Sequence, residues 1–334
     1  MNYRVAVIYN ELMSVRYRAL GEESAVISIR DDAKAVAQAL GEVGHSVEVV
    51  PLKPPFSQAA DTLRSLAVDA FFNLFEGFED HPETEPTMAR ILDELGLPYT
   101  GCRADALALG LDKGRSKALM ERRGIATPRY QLLSPGTIVA FSLDFPCIVK
   151  PRREDASHGL SENSVVRDHT SLQERVTWVS SHFGGMALVE EFLEGREFNG
   201  TLLCNGHMTV LPISEIVYSL PETMPRVLTY AAKWDTKSVY YQNTNPVCPA
   251  EIGSEDQARM VEVMIRVFRL MVGDGYARVD MRMDNRGEIN VLEVNPNPDI
   301  SPISGAARQA RAAGMSYSQF MGEILSLAFQ RQRR

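Results

Sequence analysis

The chain opens on a short run, Arg4–Tyr9 (RVAVIY), in which nearly every position is hydrophobic. Such a run suits a parallel strand buried on both faces, since a half-exposed strand would alternate. Asp31–Val43 then sets Ala33, Val36, Ala37, Leu40 and Val43 at helical spacing. Ser46–Val50 reads as a second strand and Thr62–Ala67 as a helix. Asp69–Phe75 (DAFFNLF) reads as a third strand, and Met88–Leu95 as a helix closed by Gly96 and Pro98. Strands alternating with helices predict a doubly wound parallel sheet over roughly the first hundred residues, an α/β arrangement.

The pattern changes near Asp112. Lys113–Arg123 is a predicted helix stopped by Gly124, and Phe145–Lys150 (FPCIVK) a strand that runs into a polar loop, Pro151–Leu160. Ser171–His182 reads as a helix and Ala187–Glu191 as a strand. After Gly195 come strands at Phe198–Cys204 and Met208–Ile216, a long polar stretch from Tyr218 to Pro249, and a helix at Asp256–Val272. Tyr276–Met283 and Glu288–Asn295 read as a hairpin, and Tyr317–Ala328 as a last helix. The sequence shows no internal repeat and no low-complexity segment.

Composition narrows the classes. The 334 residues allow two or three lobes around sizeable cores. Hydrophobic residues make up 45% and charged residues 23%, the balance of a globular protein. The net charge of −8 and the lack of a Lys/Arg cluster argue against nucleic-acid binding. The one basic run, Arg331, Arg333 and Arg334, reads as a solvated terminus. Cys102, Cys147, Cys204 and Cys248 form no C-x-x-C pair, and the six histidines do not cluster, so structural zinc and disulfides are not expected. Nothing resembling a signal peptide or a membrane span is present, which points to a cytoplasmic setting.

The sharpest local chemistry is in the hairpin. If Asn285 and Arg286 form a two-residue loop, Arg278 faces Glu293 and Asp280 faces Val291. Alternation then gathers Arg278, Asp280, Glu293 and Asn295 on one face, and Val279, Met281, Leu292 and Val294 on the other. Carboxylates with an amide suit Mg²⁺, and an arginine beside them suits a transferring phosphoryl group or an oxyanion. The plainer reading is an exposed face with an Arg278–Glu293 salt bridge. Lys150 ends an apolar strand before Arg152–Gly159, a loop suited either to phosphates or to a solvated turn. Val189–Glu197 leaves a strand with carbonyls and carboxylates free, to read adenine and ribose or to link lobes. His158 is given no catalytic role. The sequence has no G-x-x-x-x-G-K-[ST], G-x-G-x-x-G, G-x-S-x-G or H-E-x-x-H, which removes support for P-loop, Rossmann, serine-hydrolase and zinc-protease readings.

Taken in order, Leu97–Gly101, Asp112-Lys113 with Lys117, Gly124–Pro128, Phe145–Pro151, Glu190–Glu197, Tyr230–Trp234, Arg278–Asp280, Glu293–Asn295 and Ala313–Ser318 resemble the ATP-grasp fold, and within it the D-alanine–D-alanine ligase family. The resemblance runs from about Asn73 to the C-terminus. It implies a pre-ATP-grasp α/β domain over 1–110, a central ATP-grasp lobe over 111–195, and a C-terminal lobe with the metal and substrate site over 196–334. It also implies ATP with two Mg²⁺ ions (Mn²⁺ being an alternative), small amino acid or peptide substrates, and a homodimer. Lys113, Lys150 and Ser157 would serve the ATP phosphates, Glu190 and Leu193 the adenine, and Glu197 the ribose. Lys233, in a mobile loop, would reach the γ-phosphate and substrate. Asp280, Glu293 and Asn295 would hold metal, Arg278 would stabilise the acyl phosphate, and Ser304 would bind the acceptor carboxylate.

The chain also departs from the family. Asn-Thr-x-Pro-Gly is here Asn295-Pro296-Asn297-Pro298-Asp299, the loop Ser-Ser is Ala156-Ser157, and the tyrosine after the lysine is Trp234. The family glutamate before Val-Ser-Leu finds only Val26-Ile27-Ser28-Ile29 after an offset Glu22 and Glu23. Glu23, Trp234 and Asp299 are therefore the candidate substrate residues. Since the family's glutamate, serine and tyrosine bond to one another around the first substrate, these departures predict a ligase for which D-alanine is not the best first substrate. The alternatives are an ordinary D-alanine–D-alanine ligase, an ATP-grasp kinase, and an inactive ATP-binding scaffold.

Overall fold

The computed structural model describes residues 2–11, 16–204 and 206–332, with backbone alone at 25 and 26. Arg333 and Arg334 of the basic tail, and residues 12–15 of the insertion before Glu23, lie outside the described residues.

Strands β1 (Arg4–Asn10), β2 (Ser46–Leu52) and β3 (Ala70–Asn73) form a parallel sheet in the order β2-β1-β3. The apolar run of β1 has a direct cause. Val5, Val7 and Tyr9 enter one core with Val36, Leu40, Phe320 and Ile324, while Ala6 and Ile8 enter another with Leu63, Met88 and Leu92. Both faces are covered, so both sets must be apolar. The helix Ile29–Glu42 and the C-terminal helix Tyr317–Gln332 form the first cover; Phe56–Ser65 and Glu85–Leu95 form the second. Ser24–Ile27 and Ile29–Glu42 are helical, so the stretch resembling Val-Ser-Leu lies on helix. Arg331 is not a solvated tail residue. It donates to the carbonyls of Tyr99 (2.6 Å) and Gly101 (2.7 Å) and lies over the Tyr99 ring.

A second, antiparallel sheet contains β4 (Tyr130–Leu133), β5 (Cys147–Pro151), β6 (Val165–Val166) and β7 (Ala187–Glu191) in the order β4-β7-β5-β6. The helix His169–Phe183 covers it and begins at a capping box of Asp168 and Ser171. A third sheet contains β8 (Glu197–Cys204), β9 (Met208–Val210), β10 (Ser214–Tyr218), β11 (Thr244–Val247), β12 (Gly275–Met283) and β13 (Ile289–Pro296), ordered β11-β10-β8-β12-β13, with β9 also on β8. Its apolar face closes on Met260, Met264 and Phe268 of the helix Ser254–Met271. The stretch from Tyr218 to Pro249 is not one long loop. It contains the helices Tyr230–Trp234 and Val239–Gln242 and strand β11, and it packs Val227, Ala232 and Tyr240 against Ile148 and Phe192.

The hairpin register differs from expectation. Arg278 pairs with Asn295 and Asp280 with Glu293, and the register then shifts so that Met281 pairs with Val291. Two causes act together. The connection is longer than two residues, with the Asp284 carboxylate accepting from the N–H groups of Arg286 and Glu288. A bulge also lets Leu292 drop out of the ladder, and Leu292 then lines the cleft instead of joining the apolar face.

Candidate functional site

Between the second and third sheets opens a cleft. Among the residues expected at a nucleotide and metal site, Lys113, Lys150, Ser157, Glu190, Leu193, Glu197, Lys233, Asp280 and Glu293 line it. The strands explain why. β5 and β7 of the second sheet carry Lys150 and Glu190; β8, β12 and β13 of the third carry Glu197, Asp280 and Glu293. Lys113 opens the helix Lys113–Arg122, whose N-cap is the Asp112 carboxylate. Arg152 braces Asp112 with two bonds of 2.8 and 2.7 Å, tying the end of β5 to that helix.

The charges interlock. Glu190 is 1% exposed and lies 2.8 Å from Lys117 Nζ and 2.7 Å from Lys150 Nζ. Burial raises its pKa, but the two lysines outweigh burial and hold the carboxyl below its ordinary value. Burial lowers the pKa of Lys117, against the pull of Glu190. Lys113 Nζ sits 3.3 Å from Asp155 and 3.5 Å from Glu293 and donates to the Glu154 carbonyl. For Glu293 burial is again opposed, and Lys113, Lys150, Arg278 and Lys233 hold the carboxyl well below the usual range. On the same face Arg278 grips Asp280 with bonds of 2.6 and 2.8 Å. The amide of Asn295 donates to Asp280 at 3.1 Å and to Glu293 at 3.4 Å. Arg278 stands opposite Asn295 and does not bridge Glu293 across the strands; its partner is Asp280, two residues along the same strand. Lys233 is half-buried; burial and then Arg278 lower its pKa, while Glu293, Asp280 and Asp299 oppose that. Deeper along the wall, Glu197 accepts from the Tyr218 hydroxyl at 2.8 Å and pairs with Arg282 at 3.2 Å.

Four further expected residues, Glu23, Ser304, Trp234 and Asp299, do not line the cleft. Glu23 pairs with Arg18 at 3.0 Å. Ser304 is buried as the N-cap of the helix Gly305–Ala312, accepting from Ala307 N–H at 3.1 Å. Trp234 packs near Tyr230, and its indole N–H is buried with no partner among the described residues. Asp299 is exposed and accepts from Ser301 N–H at 2.8 Å, just beyond Asn297, where the backbone has φ +50°. Its neighbourhood is acidic. Burial and Asp299 push Asp32 up to about 6, while Glu76, which faces Asp299, Asp32 and Asp155, is exposed to solvent that screens them.

Sequence reasoning passed over several residues. Lys117 stands one turn beyond Lys113 on the same helix face, and that spacing is a readable signal. Arg282 holds Glu197, and its place two residues after Asp280 set it on that strand face. Glu22 reaches His158 and Gly159 across 136 and 137 positions of chain, which no local pattern indicates.

Comparison with known proteins agrees with this geometry. Residues 119–326 match the family model for the D-ala D-ala ligase C-terminus. An uncharacterized protein of Sinorhizobium fredii is 36% identical over 260 residues, 78% of this chain and 74% of that protein. The D-alanine–D-alanine ligase of Nitrosospira multiformis is 30% identical over 314 residues, 92% of this chain and 95% of that protein. The crystal structure of the D-alanine–D-alanine ligase of Bacillus anthracis complexed with ATP superposes with a TM-score of 0.75 at 21% identity, covering 100% of this chain and 99% of that one; at that identity the likeness shows the fold. The chain therefore belongs to the D-alanine–D-alanine ligase family, with the ATP-grasp fold, and is an ATP-dependent ligase of that type.

Proposed function

We propose that the protein joins a carboxylate to an amine through an acyl phosphate, and that its first substrate is an amino acid or short peptide unit other than D-alanine. The observation that carries the chemistry is the convergence of Lys113, Lys150, Lys233 and Arg278 on the wall that bears Asp280 and Glu293. Fixed cations suit a γ-phosphoryl group and the charge that develops on it. A substrate carboxylate oxygen attacks the γ-phosphorus and ADP leaves. The acceptor amine attacks the carbonyl carbon, loses a proton, and phosphate departs with one oxygen of the original carboxylate. Two Mg²⁺ ions belong to this reading, with Asp280, Glu293 and Asn295 as an oxygen-donor set that fits them. When bound, they draw charge from the phosphoryl oxygens. Ser157 at the phosphates, Glu190 and Leu193 at the adenine and Glu197 at the ribose complete the nucleotide part. Ser304 and the helix it caps would receive the acceptor carboxylate. The division into 1–110, 111–195 and 196–334 follows the three sheets. A cytoplasmic homodimer rests on the family likeness alone.

The substrate claim rests on what surrounds the first-substrate end. Ala156 brings no hydrogen bond from its side chain, and Trp234 brings only a donor. An ammonium placed as in the family would lack partners there, which disfavours it by several kcal/mol. Asp299 instead supplies a carboxylate close enough to raise the pKa of Asp32, which suits an amine held in a different place. One observation favours the ordinary D-alanine–D-alanine ligase. A glutamate from the N-terminal segment, Glu22, does meet the central loop at His158 and Gly159. In that contact its carboxylate is already engaged by Nδ1 of His158 and the Gly159 N–H. The deciding experiment measures kcat/KM for D-alanine against a panel of D- and L-amino acids, basic ones included. D-alanine should not be the best first substrate; a wide preference for it at both positions would establish the ordinary ligase.

A further inference from the structure

We propose that His158 is a positioning residue that locks the loop Glu154–Leu160 onto the cleft and ties it to the Tyr218–Pro249 segment; the effect on catalysis rests on the ligase reading above. Three stretches distant in sequence meet at this ring. From the N-terminal segment, the Tyr17 ring stacks on His158 with centroids 3.8 Å apart and planes 9° apart. Glu22 Oε2 lies 2.9 Å from His158 Nδ1. From the other side Tyr230 stacks at 5.4 Å. His158 is 5% exposed and lines the cleft together with Lys113 and Lys150.

The loop is held at both ends. At its start, the Tyr17 hydroxyl donates to Glu154 at 2.6 Å and Arg16 pairs with Glu154 at 2.9 Å. At its end, the Gly159 N–H donates to Glu22 at 3.0 Å, and Arg175 donates to the Gly159 carbonyl. Gly159 has φ +71°, and a Cβ there would lie 2.6 Å from the Phe183 ring, so glycine is required at this end of the loop. The Tyr230 N–H donates to the Leu160 carbonyl at 3.0 Å. The loop and the helix Tyr230–Trp234, which carries Lys233, therefore move as one body while the ring is clamped. His158 touches the cleft but needs no proton chemistry for this role. Its ring is the part that reaches both the N-terminal segment and the Tyr230 helix.

The test compares wild type with His158→Ala and His158→Phe by amide hydrogen exchange without nucleotide, and by steady-state kinetics in ATP. His158→Ala should raise exchange at the Gly159 and Tyr230 amides about tenfold, as local opening loses a stack and a hydrogen bond. His158→Phe keeps the stack and loses the bond to Glu22, so it should release Gly159 and leave Tyr230 protected. In turnover, His158→Ala should raise KM for ATP about tenfold with kcat at saturation lowered less than threefold, the split expected of lost positioning. Exchange unchanged within twofold at both amides in folded His158→Ala overturns the proposal. If that variant does not fold, unchanged exchange at Gly159 in His158→Phe does so. Wild type without ligase turnover would fail the function reading, while the exchange result still decides the clamp.

Discussion

Replacing Glu190 by Gln removes the carboxylate that lies between the buried Lys117 ammonium and the half-buried Lys150 ammonium. Glu190 and Lys117 are each 1% exposed, and Lys150 is 14% exposed. The Thr127 hydroxyl, 2.6 Å from Lys117 Nζ, can accept a hydrogen bond but cannot neutralise charge. Deleting one partner of a buried pair leaves uncompensated charge and destabilises by about 3–5 kcal/mol. Lys150 keeps some contact with water and can turn outward, which places the expectation near 3 kcal/mol, about the lower end of that range. Lys117 has no such outlet. Urea unfolding at pH 7, followed by circular dichroism, measures the loss as a lower midpoint at unchanged slope. Pairing Lys117→Met with Glu190→Leu should recover much of it, because an apolar pair of similar volume avoids the desolvation of the ions. A loss below about 1 kcal/mol in Glu190→Gln would refute the buried ion-pair account and leave Glu190 as an ordinary wall residue.

Other expectations follow from the same charges. Glu293→Gln should abolish peptide formation while leaving the fold intact, since it removes a charge that four cations converge on; near-normal turnover measured by phosphate release would exclude Glu293 from the site. The segment from Tyr218 to Pro249 should lose protease sensitivity when ATP and substrate bind together, because it carries Lys233 over the cleft; equal cleavage rates in both states would end its role as a lid. Folding raises the Asp32 pKa from 3.8 to about 6, so the stabilising contribution of its protonated form is present below 3.8 and is lost as pH rises through about 6. Asp32→Asn should therefore gain stability relative to wild type from about pH 4 to pH 6 in thermal melts; a gap that stays constant or narrows would contradict the crowding of Asp32 with Asp299.

Much of this was legible because periodicity and burial coincide. The run RVAVIY is apolar throughout, and its alternate residues do enter two different cores. The cleft set was legible because Lys150, Glu190 and Glu197 sit at strand ends, where a side chain can leave the sheet for a ligand. The register of the hairpin was not. It depends on Asp284 capping a longer turn and on a bulge after Asp280, and neither leaves a trace in a polar/apolar alternation. The helices within Tyr218–Pro249 were missed because they are single turns capped by Thr229 and Ser238, too short for a 3.6-residue pattern to build up. Glu22 and Glu23 are adjacent and chemically alike, yet only Glu22 reaches the loop at Gly159. That choice is made by tertiary packing of Tyr17 on His158, which a linear reading cannot see.

The central claim, an acyl phosphate formed from the substrate carboxylate, is tested most directly with oxygen-18. The enzyme is given ATP and the best amino acid from the panel, labelled at both carboxylate oxygens, and the released phosphate is analysed by mass spectrometry. One labelled oxygen in phosphate for each peptide bond formed is the predicted result. Peptide formed with unlabelled phosphate, or with the label carried into AMP, would contradict the account.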